Sequence, residues 1–378
     1  MPNFLLYAAN LHVGGAVQVT ASVIDEIARM DGGEAARISL LVSSQVDRNL
    51  RAIRVPLERF RDYRVEDHAG IRALARDLRP ALADADAMLV MFGPLYQMRV
   101  PVPCVVGFAQ PWIIYPDNDI HRRQPLLARW RTRAKFGLQS RFFRKADVLT
   151  VELEHVQRGV VRAGIAAQDR VRVVRNCLSA LYTQPERWTP GPQIGTGTGF
   201  RLGFVGRNYP HKNIGIFPDV RRILQREHGL DVTLYVTFTD DEWAACTPEF
   251  RAAAVNVGPL DVAQCPSFYR QLDGVLFPSL LECFSATPLE AMAMQRPLFA
   301  SDRPFNRDVC GDAAFYFDPL DPASAANTIA AYIRDRAGNG EKVGMAYRHV
   351  MSLPGPDVRA RQYLECLRFA AAMRTVRN

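Results

Sequence analysis

Lysine is scarce in this chain: only four of its 47 cationic residues are Lys. Such Arg dominance is as readily a matter of genome composition as of guanidinium chemistry. Cysteine is present but unorganised. The seven thiols stand at 104, 177, 246, 265, 283, 310 and 366, an odd number with no C-x-x-C among them. That pattern excludes a disulfide framework and a zinc ribbon and predicts reduced thiols. Long apolar runs are also missing. The longest, AMLVMFGPL after Asp86, is about half of the roughly 20 residues a membrane span requires. The opening MPNFLLYAANLHVGG has no cationic lead-in and reads as a first strand instead of an export signal, so a cytoplasmic protein is expected. No 20–50-residue repeat is visible, which excludes solenoids and propellers. The seven histidines are dispersed without metal-ligand spacing, and no G-x-S-x-G or Cys-His signature supports a hydrolase nucleophile.

What is present is an alternation. A chain of 378 residues exceeds one ordinary core and favours two domains of roughly 150–200 residues each. FLLYAA passes through NLHVGGAVQ into the helix-like run VTASVIDEIARM. FRLGFVG at 200–206 passes through RNYPHKN into IGIFPDVRRILQREHG, and DVTLYVTF follows as the next strand. Further strands are predicted at ISLLVSS, AMLVMF, CVVGFA, DVLTVE and RVRVVR, then at AVNVGPL, GVLFP, PLFAS and AAFYF. Two such starts predict two tandem Rossmann-like, doubly wound α/β domains. The Pro-, Gly- and Thr-rich stretch 183–199 reads as an exposed connector. The expected divisions are 1–185, 186–355 and a C-terminal helix at 356–378. Residues 1–180 hold 26 Lys or Arg against 18 Asp or Glu, and the remainder holds 21 against 21. The whole net charge of +8 therefore belongs to the first half, where anionic partners are expected.

Three loops carry candidate chemistry. Gly14-Gly15, between a strand and a helix, reads equally as a tight turn or as an approach for an anion to helix-terminal N–H groups. Arg207 and Lys212, five positions apart after a strand, suit the adjacent phosphates of a diphosphate, Arg as a planar fork and Lys as a point charge. The third is LECFSATPLEAMAMQRP, residues 281–297. There Thr287-Pro288-Leu289-Glu290 fits a capping box, with Thr287 as N-cap and Glu290 reaching back to it. Capping leaves Glu282 unexplained. It is either a surface acid or, at a strand's carboxyl end beside the N–H groups of Ser285 to Leu289, an acceptor for sugar hydroxyls.

At this point the residues resemble a family. ECFSATPLEAMA is similar to the E-x7-E signature of retaining glycosyltransferases of the GT-B fold, family 4, with G-R-x4-K at Gly206, Arg207 and Lys212 as the matching diphosphate pair. The resemblance covers roughly residues 200–320 well and the first half in outline. It implies two Rossmann-like domains facing a cleft, with the last helix crossing back to the first domain. Arg207 and Lys212 would bind the donor diphosphate, Glu290 the nucleotide ribose, and Glu282 the transferred sugar. Gly14, Gly15 and the loop Phe284, Ser285, Ala286 would complete the donor site. Cys283, Ser285 and Gln295 stand where the family commonly has glycine. GFAQPWIIYPDND places Gln110 where a His is frequent, and Gln110 carries no proton. The acceptor side is then expected at Gln110, Asp117 and Asp119, with electrostatic stabilisation by Arg207 and Lys212 as the main catalytic effect.

No cofactor and no metal is expected. Asp84-Ala85-Asp86 and Asp117-Asn118-Asp119 both have the D-x-D form of a metal pair, but the first precedes a predicted strand and the second lies in a loop. Residues 121–145 contain nine Arg or Lys and no acid, interleaved with Leu, Trp and Phe. This predicts one basic amphipathic helix, either packed by its apolar side or set against an anionic membrane surface on the inner face; nucleic acid is not expected, since no nucleic-acid module appears elsewhere. The expected function is transfer of a hexose-type sugar from a nucleoside-diphosphate sugar to a glycan or lipid-linked oligosaccharide, in cell-surface polysaccharide or lipopolysaccharide synthesis. The alternatives are a non-catalytic nucleotide-sugar or glycan-binding protein of the same fold and a basic nucleic-acid-binding protein.

Overall fold

The computed structural model describes residues 2–195, 197 and 199–377. It divides into two compact units, one made of Met1–Ser179 with Pro354–Asn378 and the other of Ala180–Leu353. The first unit is built on strands Phe4–Ala8 (β1), Ile38–Val42 (β2), Asp62–Val65 (β3), Ala87–Val90 (β4), Cys104–Gly107 (β5), Val148–Val151 (β6) and Val171–Val173 (β7). All are parallel, in the order β3-β2-β1-β4-β5-β6-β7. Every residue of β1, β4, β5 and β6 is buried, which is why these strands read as unbroken apolar runs: a parallel sheet is covered on both faces. β3, with the sequence DYRV, gave no such signal. It is an edge strand with no fully buried residue, held by its backbone pairing to β2.

The second unit repeats the plan with Phe200–Phe204 (β8), Val232–Val236 (β9), Ala254–Asn256 (β10), Gly274–Phe277 (β11), Leu298–Ser301 (β12) and Phe315–Phe317 (β13). The order is β10-β9-β8-β11-β12-β13, again parallel. Its core is rich in phenylalanine, with Phe204, Phe217, Phe238 and Phe299 buried together. In both sheets the first strand of the unit lies inside the sheet, and the chain builds outward from it in both directions. Loops leaving neighbouring strands at that point turn to opposite sides and open a crevice at the carboxyl edge.

Of the described residues in 183–199 only Ile194 is buried, as suits an exposed connector, and the stretch is tied to the second unit: the Thr189 amide donates to the Ala263 carbonyl and the Gln271 side chain donates to Pro192. Thr196 and Thr198 lie outside the described residues. Two expectations are corrected. The stretch 121–145 is not one helix. Gln124 and Pro125 separate Asp119–Arg123 from Leu126–Phe143, because Pro has no N–H for a helix interior and opens the second helix instead. Nor does that second helix keep its apolar residues on one inward side: Leu126, Leu127 and Trp130 are exposed.

The helix Pro356–Arg377 packs in the first unit, with Tyr363, Leu364 and Leu367 buried. Arg359 is buried with it. Its guanidinium donates to Ser22 Oγ at 2.7 Å and to Asn176 Oδ1, and the Asn176 amide donates to Glu152 Oε1 at 2.7 Å. All seven cysteines are buried, and none is paired in a disulfide. Burial pushes the Cys104 and Cys310 thiols up to about 12 and that of Cys366 to about 11. Because removing one member of a buried charged network strands the rest, Arg359→Ala is expected to lower the unfolding free energy by about 3 kcal/mol, measured by urea denaturation.

Candidate active site

The loop after β8 begins at Gly206, whose φ of +157° is rarely adopted by residues with a side chain and whose N–H donates to Thr237 Oγ1 at 3.1 Å. The next residue, Arg207, donates through Nε to Glu242 Oε1 at 2.8 Å. The same oxygen accepts the Asn208 amide at 3.1 Å, and Glu242 Oε2 accepts the Thr239 amide at 3.1 Å. Glu242 thus closes the capping box of the short helix Asp240–Ala244 while gripping the Arg207 loop. Burial pushes its carboxyl pKa up, but the Arg207 guanidinium and these amides outweigh burial and hold it below the usual range. The pairing takes the Nε edge of Arg207 and leaves its two Nη groups available to a ligand. Glu242 was not among the candidates from sequence, although T-x-x-E at Thr239 to Glu242 is a legible capping signal.

Lys212 closes the same loop. Its ammonium lies 2.6 Å from Glu282 Oε1 and 5.1 Å over the Phe277 ring, and both ionic side chains are largely buried. His211 stacks on Tyr209, and its Nε2 lies 3.8 Å from Glu282 Oε1. Burial, reinforced by Lys212 and opposed by Glu282, lowers its pKa below 6.5, so the imidazole is neutral at pH 7. The backbone seals the two loops together: the Leu280 amide donates to the His211 carbonyl at 2.7 Å. β8 and β11 are neighbours in the sheet, which is how Lys212 and Glu282, 70 positions apart, come to share one ion pair.

Glu290 corrects the capping expectation. The helix runs Thr287–Ala293 with Ala286 as N-cap and no side-chain cap. It starts one residue earlier than predicted, and the Thr287 hydroxyl donates to the Val205 carbonyl at 3.4 Å. The Glu290 carboxylate is buried and turned away from the helix start, accepting from Tyr269 Oη at 2.9 Å and from Tyr182. Burial raises its pKa, with the two tyrosine bonds and Lys212 only partly opposing. Tyr182 is a further contributor that no sequence signal marked. Phe284, Ser285 and Ala286 are half-buried at the start of this helix.

At the other end of the helix, the Arg296 amide donates to Ala291 and the Gln295 amide to Met292. This is a Schellman closure, with Gln295 at the left-handed position, φ +53°. Of the three positions where glycine is common in the resembling family, this one has a backbone that favours it.

The remaining candidates belong to the first unit. Gly14 has a φ of +79° and is the N-cap of the helix Gly15–Arg29, with no side-chain cap and no acid in the first turn. Gln110 begins the short helix Pro111–Ile114. Asp117 is exposed and lies 3.6 Å from Arg133, while Asp119 opens the helix that Asn118 caps. Asp84 pairs with Arg61, and Asp86 accepts the Asn3 amide. Among the described residues no group of three His, Cys, Asp or Glu side chains is placed to hold a metal ion.

Two outcomes are expected. Left-handed backbone is costly for a residue with Cβ, so Gln295→Gly should stabilise the protein by about 0.5–1 kcal/mol in chemical denaturation. Glu290 has a higher pKa folded than unfolded, so the folded state binds the proton more tightly. Its stabilising contribution is complete below the ordinary value of 4.5 and is lost as pH rises through the raised value. Glu290→Gln, which keeps an acceptor for Tyr269, should flatten that fall in a series of unfolding measurements across pH.

Comparison with known proteins follows the same division. Residues 199–335 match the family model described as glycosyl transferases group 1. The O-antigen chain mannosyltransferase RfbU of Salmonella typhimurium is 25% identical over 127 residues, 33% of this chain and 36% of that protein, so the match spans about a third of the curated relative. Among solved structures, HepE of Anabaena, crystallised with UDP-glucose, has a TM-score of 0.71 at 15% identity, covering 97% of this chain and 99% of that one. Sucrose-phosphate synthase of Thermosynechococcus elongatus gives 0.70 at 14%, covering 99% and 100%. At these identities the likeness to the structures is one of fold. Both parallel-sheet Rossmann-like units of the GT-B fold are present in the chain, and the match to the group 1 glycosyl transferase model lies within the second of them.

Proposed function

We propose that the chain is a retaining glycosyltransferase that moves a hexose-type sugar from a nucleoside-diphosphate sugar to a glycan or lipid-linked oligosaccharide in polysaccharide synthesis. The observation that carries this reading is the cluster at the carboxyl ends of β8 and β11: Arg207 held by Glu242, Lys212 against Glu282, and Glu290 buried behind them. Two cations with donors to spare suit a diphosphate, and the two glutamates suit hydroxyls. The group 1 family match over this unit and the UDP-glucose bound by HepE of Anabaena support it.

In this reading Arg207 and Lys212 take the donor diphosphate, assisted by backbone N–H groups at Phe284, Ser285 and Ala286 and at Gly14 and Gly15. Glu290 accepts from the ribose and Glu282 from the sugar. The bond between the sugar's anomeric carbon and the diphosphate oxygen breaks, and the acceptor oxygen bonds to the same carbon on the same face. The acceptor's proton passes to the departing phosphate oxygen. No side-chain base is needed, which accords with Gln110 where a proton carrier is frequent; Asp117 and Asp119 are assigned to the acceptor. Charge that builds on the leaving diphosphate is met by Arg207 and Lys212 and requires no metal.

A second reading is favoured by the same Gln110 and by Cys283 and Ser285: a nucleotide-sugar-binding protein without turnover. Thermal-shift screening against nucleoside diphosphates and their sugar conjugates, followed by a transfer assay, separates the two. A selective upward shift in Tm is expected, since a bound ligand stabilises by mass action. No shift with any nucleotide would sink both readings. Turnover that survives a chelator is expected, and Glu282→Gln should cost about 100-fold in rate while leaving the fold intact; activity abolished by the chelator and restored by manganese would overturn the metal-free assignment.

A further inference from the structure

The helix Leu126–Phe143 has two faces of unlike purpose. One row packs inward: Ala128, Thr132 and Phe136 are half-buried, and Gln139 and Phe143 complete it as buried residues. Phe136 stacks on Trp112 with 5.6 Å between ring centroids. At about 100° per residue the opposite face carries Leu126, Trp130, Ala134 and Leu138, four apart in succession, with Leu127 beside them. All five are exposed, and Leu126, Trp130 and Leu127 keep 73%, 70% and 65% of their surface open to solvent. Arg129 and Arg133 border this stripe on one side, and Arg131 and Lys135 border it on the other.

Over residues 126–138 the outward centre is apolar and the shoulders are cationic, with Arg141 following on the same face in the last turns; this reverses the order expected of a solvated surface helix. Water favours the shoulders and disfavours the centre. An anionic bilayer favours both, because apolar side chains bury at the acyl boundary while Arg and Lys extend to phosphate headgroups. No carboxylate interrupts residues 120–146. Trp130, with a polar N–H on an apolar ring, is suited to that depth. Among the described residues no helix is long and apolar enough to cross a membrane, so contact through this helix would be from one side.

We propose that the outward face of Leu126–Phe143 is a docking surface for an anionic phospholipid bilayer, entered by Leu126, Leu127 and Trp130 and oriented by the flanking Arg and Lys. The proposal is independent of the reaction assigned above, since its readout is binding and not turnover. The test is flotation of the full chain with vesicles of phosphatidylcholine alone and of phosphatidylcholine mixed equally with phosphatidylglycerol. Binding to the mixed vesicles only is expected, weakening with salt. A blue shift in tryptophan emission should accompany it and vanish in Trp130→Phe, which separates Trp130 from the other three tryptophans. Leu127→Glu with Trp130→Glu should abolish flotation, and Arg131→Glu with Lys135→Glu should weaken it about tenfold or more. These side chains are exposed, so an unchanged Tm shows that the variants fold. Equal flotation with neutral vesicles would overturn the proposal. So would flotation unaffected by the variants, tight salt-dependent binding of single-stranded nucleic acid without flotation, or a dimer that the Glu variants dissociate.

Discussion

The candidate site depends on one hydrogen bond between two loops, from the Leu280 amide to the His211 carbonyl at 2.7 Å. β8 and β11 lie side by side because the sheet grows outward from β8 in both directions, β9 on one side and β11 on the other. Their loops leave at the same edge, and the backbone bond fixes the spacing between them. Lys212 and Glu282 are then within reach of each other without either side chain having to supply the order. The parallel topology sets where chemistry can be assembled, and this single bond sets how closely.

The electrostatics of the site are balanced before any ligand arrives. Lys212 faces Glu282, and Arg207 faces Glu242. Two cations withdrawn in part from water would otherwise carry a large desolvation penalty, and the carboxylates offset it. The two pairs differ in kind. Glu242 is fixed by the amides of Thr239 and Asn208, so it orients the guanidinium and stays in place. Glu282 is largely buried against Lys212, so an anionic group that reaches the ammonium competes with it directly. Neutral His211, near Glu282, adds no third positive charge.

Most of the fold was legible in the sequence, because buried parallel strands announce themselves as apolar runs. β3 was not, since an edge strand is specified by its neighbour's backbone and DYRV carries no apolar pattern. That Arg207, Lys212 and Glu282 stand in loops after strands could be read from the sequence; that Glu242 holds Arg207 and Glu282 holds Lys212 could not. The partnership of Glu290 could not. A Thr-Pro-Leu-Glu run satisfies the local rule for a cap, but a buried carboxylate obeys its surroundings, and Tyr269 and Tyr182 lie 21 and 108 positions upstream. The helix at 126–143 shows the opposite limit. Its composition was read correctly as basic and apolar, yet periodicity alone did not show that both an inner and an outer row were apolar, because the direction of the core is a tertiary fact.

The burial of all seven thiols has a consequence for how the molecule meets oxidants. A thiol attacks as the thiolate, and with values near 11 and 12 at Cys104, Cys310 and Cys366 almost none is ionised near neutrality. The odd cysteine count, which in an exposed setting would invite cross-linking between chains, is here matched by burial of every thiol. These three thiols are thereby poor nucleophiles in the folded protein and gain reactivity where the fold opens.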